Sequence, residues 1–192
     1  MSFVATPKQI RKSVIGSNHA LQGPFGPKPI VYADSTASGR SLYFIENYIQ
    51  DCVLPFYANT HTEASATGLQ TTKFREDSRN CIRRALRAPQ DEFAVIFTGS
   101  GSTGAMNKLA NVLGISPLAP SVEDSSKRAV VFISAQEHHS NELLWRESPN
   151  TDCVVIPHDP STGSMDQVVL VQELIKYQDR PLKLASFSAA SK

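Results

Sequence analysis

The chain has 192 residues, 41% hydrophobic and 19% charged, with a net charge of +1. That length and apolar content suffice for a substantial core, and a near-neutral balance gives no electrostatic case for binding nucleic acid or an anionic membrane surface. Its three cysteines, Cys52, Cys81 and Cys153, are widely spaced and make neither a disulfide framework nor a zinc pattern, so each reads as a small core residue of a protein in a reducing compartment.

The N-terminal residues lack the apolar stretch of a secretory signal. Lys8, Arg11, Lys12 and Lys28 precede the first acid, Asp34, a weak hint of an organellar transit peptide and hence of a mitochondrial address. A folded leader of a cytoplasmic protein is the preferred expectation for residues 1–29, with a short helix near Lys8–Val14 and then a Gly/Pro loop. Ile30–Ala33 reads as a short strand that ends at Asp34. Leu42, Phe44, Ile45, Tyr48, Ile49, Cys52 and Val53 recur at helical spacing before Pro55. The polar stretch Tyr57–Ser65 between two helices is either exposed or lines a site. From about Gly68 to Leu86 a helix should turn Phe74, Cys81, Ile82, Ala85 and Leu86 inward. Its charged face, Arg75, Glu76, Asp77, Arg79, Arg83 and Arg84, should be solvated.

The stretch Phe93–Asn107 organises the rest. Phe93 to Phe97 reads as a buried strand, Gly99 to Gly104 as a turn of small residues, and Ala105 to Leu113 as a helix stopped by Gly114. A turn of this kind presents free N–H groups at the positive end of a helix, and Ser100, Ser102 and Thr103 add hydroxyls. It reads as a phosphate cradle. An N-cap at Ser102 in an ordinary tight turn is the alternative. A P-loop is excluded because Ala105 stands where its lysine belongs. The dinucleotide fingerprint is matched by Gly99, Gly101 and Gly104, but no acid follows the next strand at the required spacing, so an oxidoreductase domain is the second reading.

Arg128–Ser134, Cys153–Ile156 and Leu182–Phe187 read as further strands. Asp166 should cap a helix through Val169, Leu170, Leu174 and Ile175. Strands alternating with helices imply an α/β fold with a mainly parallel sheet, whose ligand lies beyond the carboxyl ends of the strands. The cradle, His138-His139 and Ser188–Ser191 all follow strands and could share one crevice. A metal site is not expected, because adjacent histidines chelate one ion poorly. A cradle with a histidine past the neighbouring strand suggests a phosphorylated aromatic cofactor, on which an imidazole can stack.

Five pieces in register carry a resemblance. They are Tyr32-Ala-Asp-Ser-Thr-Ala-Ser38, Asn59-Thr-His-Thr-Glu63, Phe97–Asn107, Glu137-His-His-Ser-Asn141 with Trp145 after it, and Ser188-Ala-Ala-Ser191. Together they resemble the class V aminotransferase superfamily, the branch with cysteine desulfurases and selenocysteine lyases. The resemblance implies a pyridoxal-phosphate (PLP) enzyme, a transferase or lyase, on a three-layer α/β sandwich. It implies that Gly101, Ser102 and Thr103 hold the cofactor phosphate and that His138 stacks on the pyridine ring and takes part in catalysis. Ser35, Thr36, Ala37, Asn59 and His61 would lie on the substrate side. A small amino acid would be the substrate, and a homodimer the assembly. Gly104 stands where the family usually has Glu, and the turn carries one extra residue.

The family's Schiff-base lysine and pyridine-nitrogen aspartate lie downstream of the strand that Ser188 closes, and Lys192 aligns with an asparagine instead. The expectation is therefore an incomplete large domain over residues 30–192, inactive by itself or a non-catalytic relative.

Overall fold

A computed structural model describes residues 5–190. The chain falls into two compact units, one running to Ile96 and one beginning at Phe97.

The first unit opens with α1 (Pro7–Ser13). Thr6 and Gln9 form a reciprocal capping box, and Pro7 occupies the first turn. Two short antiparallel strands follow, β1 (Ala20–Gly23) and β2 (Gly26–Pro29). The strand expected at Ile30–Ala33 is not formed. Pairing ends at Pro29, and the next residues join no ladder. The expected helix after Leu42 is three segments. These are α2 (Tyr43–Tyr48), a π-helical turn Ile49–Val53 and a 3-10 turn Leu54–Phe56 holding Pro55. The missing N–H of Pro55 explains the tightened end.

α3 (Ala66–Leu86) starts on a Ser65 cap and ends with Arg87 in the left-handed conformation. Gly68 is its one buried residue, because the preceding loop lies directly on it. A Cβ there would come within 2.2 Å of the Thr62 carbonyl oxygen. The expected burial of its apolar stripe is overturned. Cys81, Ile82, Ala85 and Leu86 are exposed, Leu86 at 71%, whereas Arg75, Arg79 and Arg83 are half-buried. Cys52 is exposed as well, so neither it nor Cys81 is a core residue. The periodicity marks an apolar face but does not say what covers it.

The second unit holds the core. Phe93–Phe97, at its junction with the first, is not the expected buried strand. It forms no ladder, and Phe93, Ile96 and Phe97 are 46–60% exposed. An apolar run becomes a strand only where a neighbour completes its hydrogen bonds. α4 (Gly101–Val112) follows, and Gly114, at φ +70°, closes it as expected; the N–H of Ile115 reaches back to the Ala110 carbonyl at 2.9 Å.

β3 (Ala129–Ser134), β4 (Thr151–Ile156) and β5 (Lys183–Ser186) form a parallel sheet in the order β4-β3-β5. α5 (His139–Arg146) links β3 to β4. α6 (Gln167–Lys176), capped by Asp166 as expected, links β4 back across to β5. The chain steps to one side of β3 and returns to the other. Right-handed crossovers then require α5 and α6 on opposite faces. The core agrees. Val131 and Ile133 pack with Ala110, Leu144 and Trp145 on one face, while Val130 and Phe132 pack with Ile156, Leu170 and Tyr177 on the other. β3, covered on both faces, is a continuous apolar run for that reason. The architecture is α/β with a parallel sheet, as the sequence implied.

Candidate functional site

Four contacts of one buried residue, Asn150, fix the end of α4. Asn150, just before β4, donates to the Gly114 and Pro120 carbonyls and accepts from the N–H of Val122, and its own carbonyl accepts from Ala129 at the start of β3. The C-terminus of α4 is therefore tied to the amino edge of the sheet. Met106 and Ala110 pack into the cluster that also holds Val131 and Ile133 of β3 and Leu144 and Trp145 of α5, so α4, about 18 Å long for its twelve residues, runs back from the amino edge over that side of the sheet. Its N-terminus points to the carboxyl edge. α5 starts at that same edge, directly after β3. Both N-termini, and their partial positive charges, thus face one side of the sheet.

The cradle is built from backbone. Gly99 and Gly101 have φ of +88° and +63°, a region that suits glycine. The alternative reading, an N-cap at Ser102, is not what the structure has. Ser100 is the N-cap, with no side-chain cap bond, and Ser102 stands inside the first turn. The N–H groups of Ser102 and Thr103 find no protein acceptor among the described residues, whereas Gly104 N–H bonds the Ser100 carbonyl at 3.3 Å. No atom stands within 4 Å of where a Cβ on Gly99 or Gly101 would be, so space is open over the turn. The dinucleotide fingerprint requires a strand before its turn, and Phe93–Phe97 is not one.

His138 is the N-cap of α5. Its Nδ1 accepts from the Ser140 N–H at 3.1 Å and lies 2.9 Å from the Ser140 hydroxyl. Accepting at Nδ1 leaves the proton of a neutral ring on Nε2. The ring is exposed, and His139 stands 6.4 Å away, tilted by 50°.

Next to it in the chain lies a polar cluster around Glu137 and Asn141. The buried Asn141 side chain is saturated. Its amide donates to Glu137 Oε2 at 2.7 Å and to the Ser186 carbonyl at 3.1 Å, and its oxygen accepts from Trp145 Nε1 at 2.9 Å and Ser186 Oγ at 2.6 Å. Glu137 also accepts from Ser134 Oγ and from the N–H and hydroxyl of Ser188. Burial pushes its carboxyl up, but these donors outweigh burial and hold it below its ordinary value. The i, i+4 spacing of Asn141 and Trp145 was the available signal, since it puts them on one helical face, whereas Glu137 stands just before the N-cap. Cys153, partly buried against the core, has its thiol pushed up by burial and then by Glu142, which suits a packing role.

The substrate-side candidates belong to the first unit. Ser35, Thr36 and Ala37 form an exposed turn in which the Ala37 N–H meets Asp34 Oδ1 at 3.4 Å and the Ser38 N–H meets the Asp34 carbonyl. Asn59 and His61 are exposed, and His61 holds φ +77°, uncommon for a side-chain-bearing residue. Arg40 stacks on Tyr32, 4.9 Å from its ring centre, and bonds the Ile15 carbonyl. Of the final piece, Ser188, Ala189 and Ala190 are described; Ser191 and Lys192 lie outside the described residues. No cluster of His, Cys, Asp or Glu among the described residues could hold a metal ion. No helix there is long and apolar enough to cross a membrane.

Comparison with known proteins agrees with this geometry. The "Aminotransferase class-V" family model matches residues 31–191. A "Probable cysteine desulfurase" of Staphylococcus epidermidis RP62A is 26% identical over 136 residues, 71% of this chain and 31% of the relative. One from Staphylococcus aureus Mu50 is 28% identical over the same shares. The chain thus spans about a third of the length of the curated relatives it matches. A family match over residues 31–191, most of the chain, leads to one conclusion: this chain belongs to the class V aminotransferase family, whose members depend on PLP.

Proposed function

We propose that the chain contributes to the cofactor-binding domain of a PLP-dependent transferase or lyase acting on a small amino acid. The domain would span residues 30–192, after a leader over 1–29, on the three-layer fold of PLP-dependent transferases. What carries the reading is the tie of the α4 C-terminal end, through Gly114 and Asn150, to the amino edge of the sheet, which with α5 starting directly after β3 would open both helix N-termini at the carboxyl end. The residues present fit the cofactor. The open amides of Ser102 and Thr103, the left-handed Gly101 and the nearby hydroxyls suit a phosphate. His138 offers a flat ring held by Ser140, suited to stacking on a pyridine.

In this reading Gly101, Ser102 and Thr103 bind the phosphate. His138 orients the ring and moves a proton through Nε2. Ser35, Thr36, Ala37, Asn59 and His61 face the substrate. Bound PLP supplies the electron sink for charge developing on the amino acid. The relatives' printed name makes cysteine the first substrate to try. Three free cysteines suit a reducing compartment, so the cytoplasm is the proposed location, and a homodimer the proposed assembly. The chain alone should bind PLP weakly and turn nothing over.

Spectrophotometric titration with PLP, pyridoxal and NAD tests the reading. PLP should bind, and pyridoxal, lacking the phosphate, should bind at least about tenfold more weakly, the cost of about 1.4 kcal/mol. Binding of NAD with none of PLP would overturn it, as would equal affinity for PLP and pyridoxal.

A further inference from the structure

Glu137 neighbours His138 but has no part in binding under the reading above. Its carboxylate joins three segments, namely Ser134 at the end of β3, Asn141 in the first turn of α5, and Ser188 just past β5. Every one of these partners donates. Oε1 receives Ser134 Oγ at 2.7 Å and Ser188 N–H at 2.9 Å; Oε2 receives Asn141 Nδ2 at 2.7 Å and Ser188 Oγ at 2.6 Å. An ionised carboxylate has lone pairs for all of them. A glutamine does not, because its amide would turn donors onto donors.

Asn141 carries the link to His138. Its backbone N–H bonds the His138 carbonyl at 2.8 Å, and its side chain bonds Glu137 and the Ser186 carbonyl. The backbone of His138, and so the origin of its ring, is fixed through the same residue that fixes the exit of β5.

We infer that Glu137 is a positioning residue, whose carboxylate locks the exit of β5 to the start of α5 and so sets where the His138 ring stands toward a bound pyridine ring. The inference rests on the proposed role of His138. Two consequences separate it from simple stabilisation. Loosening Glu137 changes the environment of the His138 ring, and it weakens PLP binding in chains that remain folded.

The test uses the whole chain as wild type, Glu137→Gln and Ser188→Ala. The second variant removes one exposed hydroxyl donor and leaves the core untouched. PLP affinity is read by absorbance, the His138 ring by its NMR resonances and tautomer, and folding by Trp145 fluorescence. Glu137→Gln should weaken PLP by about tenfold, in the range of an outer-shell partner, and shift the His138 ring signals. Ser188→Ala should do both to a smaller degree. PLP affinity and ring signals that match wild type in the folded variants would overturn the inference while leaving the site reading intact. If Glu137→Gln fails to fold, Ser188→Ala alone decides by the same criterion. If wild type binds no PLP, the site reading falls, and this inference with it.

Discussion

Changing Asn141 to Asp replaces one NH2 group with oxygen at nearly constant volume, yet it should cost much of the second unit's stability. The amide edge now donates to Glu137 Oε2 and to the Ser186 carbonyl, with the residue 7% exposed. In Asn141→Asp that edge would face two acceptors, one of them a carboxylate. Two states are open to the new side chain. Ionised, it is a buried charge beside a like charge, at a cost of about 3–5 kcal/mol. Protonated, it can satisfy one acceptor, but holding an aspartate neutral at pH 7 against an ordinary value near 3.9 costs about 4 kcal/mol. Both routes give about 4 kcal/mol, a large part of the roughly 5–15 kcal/mol of a typical domain. The protonated route also cheapens as pH falls, by about 1.4 kcal/mol per unit. Urea unfolding followed by Trp145 fluorescence should therefore show a deficit that shrinks by about 2 kcal/mol between pH 7 and 5.5. A variant within about 1 kcal/mol of wild type at both pH values would refute the saturated-amide account.

Three further outcomes are expected. Glu137, with its folded value depressed, contributes stability that is fully present above its unfolded value and lost as pH falls through the folded one. Acid unfolding should thus begin below pH about 4.3, with a component absent in Glu137→Gln; identical acid profiles would refute it. Gly101→Ala forces a side chain to φ +63° and should cost about 1–2 kcal/mol in thermal melts, and PLP affinity with it; a neutral effect on both would refute the cradle geometry. Asn150→Ala unties α4 from the sheet's amino edge and should cost about 2–3 kcal/mol through the orphaned Val122 N–H and Pro120 carbonyl; a change below about 0.5 kcal/mol would refute that anchor.

How far the sequence could be read depended on what covers each apolar face. β3, two-sided and apolar throughout, announced itself, and so did the Asp166 cap and the Gly114 stop, because each rests on local chemistry. Phe93–Phe97 and the apolar stripe of α3 carry equally clear patterns but lie exposed. Periodicity reports a preference for burial and not the partner that satisfies it. The π-helical turn at Ile49–Val53 left no signal in the spacing. At the site, His138 and the glycine turn were legible as motifs. The alternative of an N-cap at Ser102 did not hold, because the helix starts at Gly101 with Ser100 as its N-cap. The clamp of Glu137 and Asn141 joins residues up to 51 positions apart, and only the folded sheet brings β5 to α5.

The most direct test of the central claim is to record amide and imidazole NMR spectra of the whole chain while adding PLP. The account predicts that the N–H signals of Ser102 and Thr103 and the ring signals of His138 shift together, along one saturation curve. Shifts confined to other residues, or a cradle that moves without His138, would contradict it.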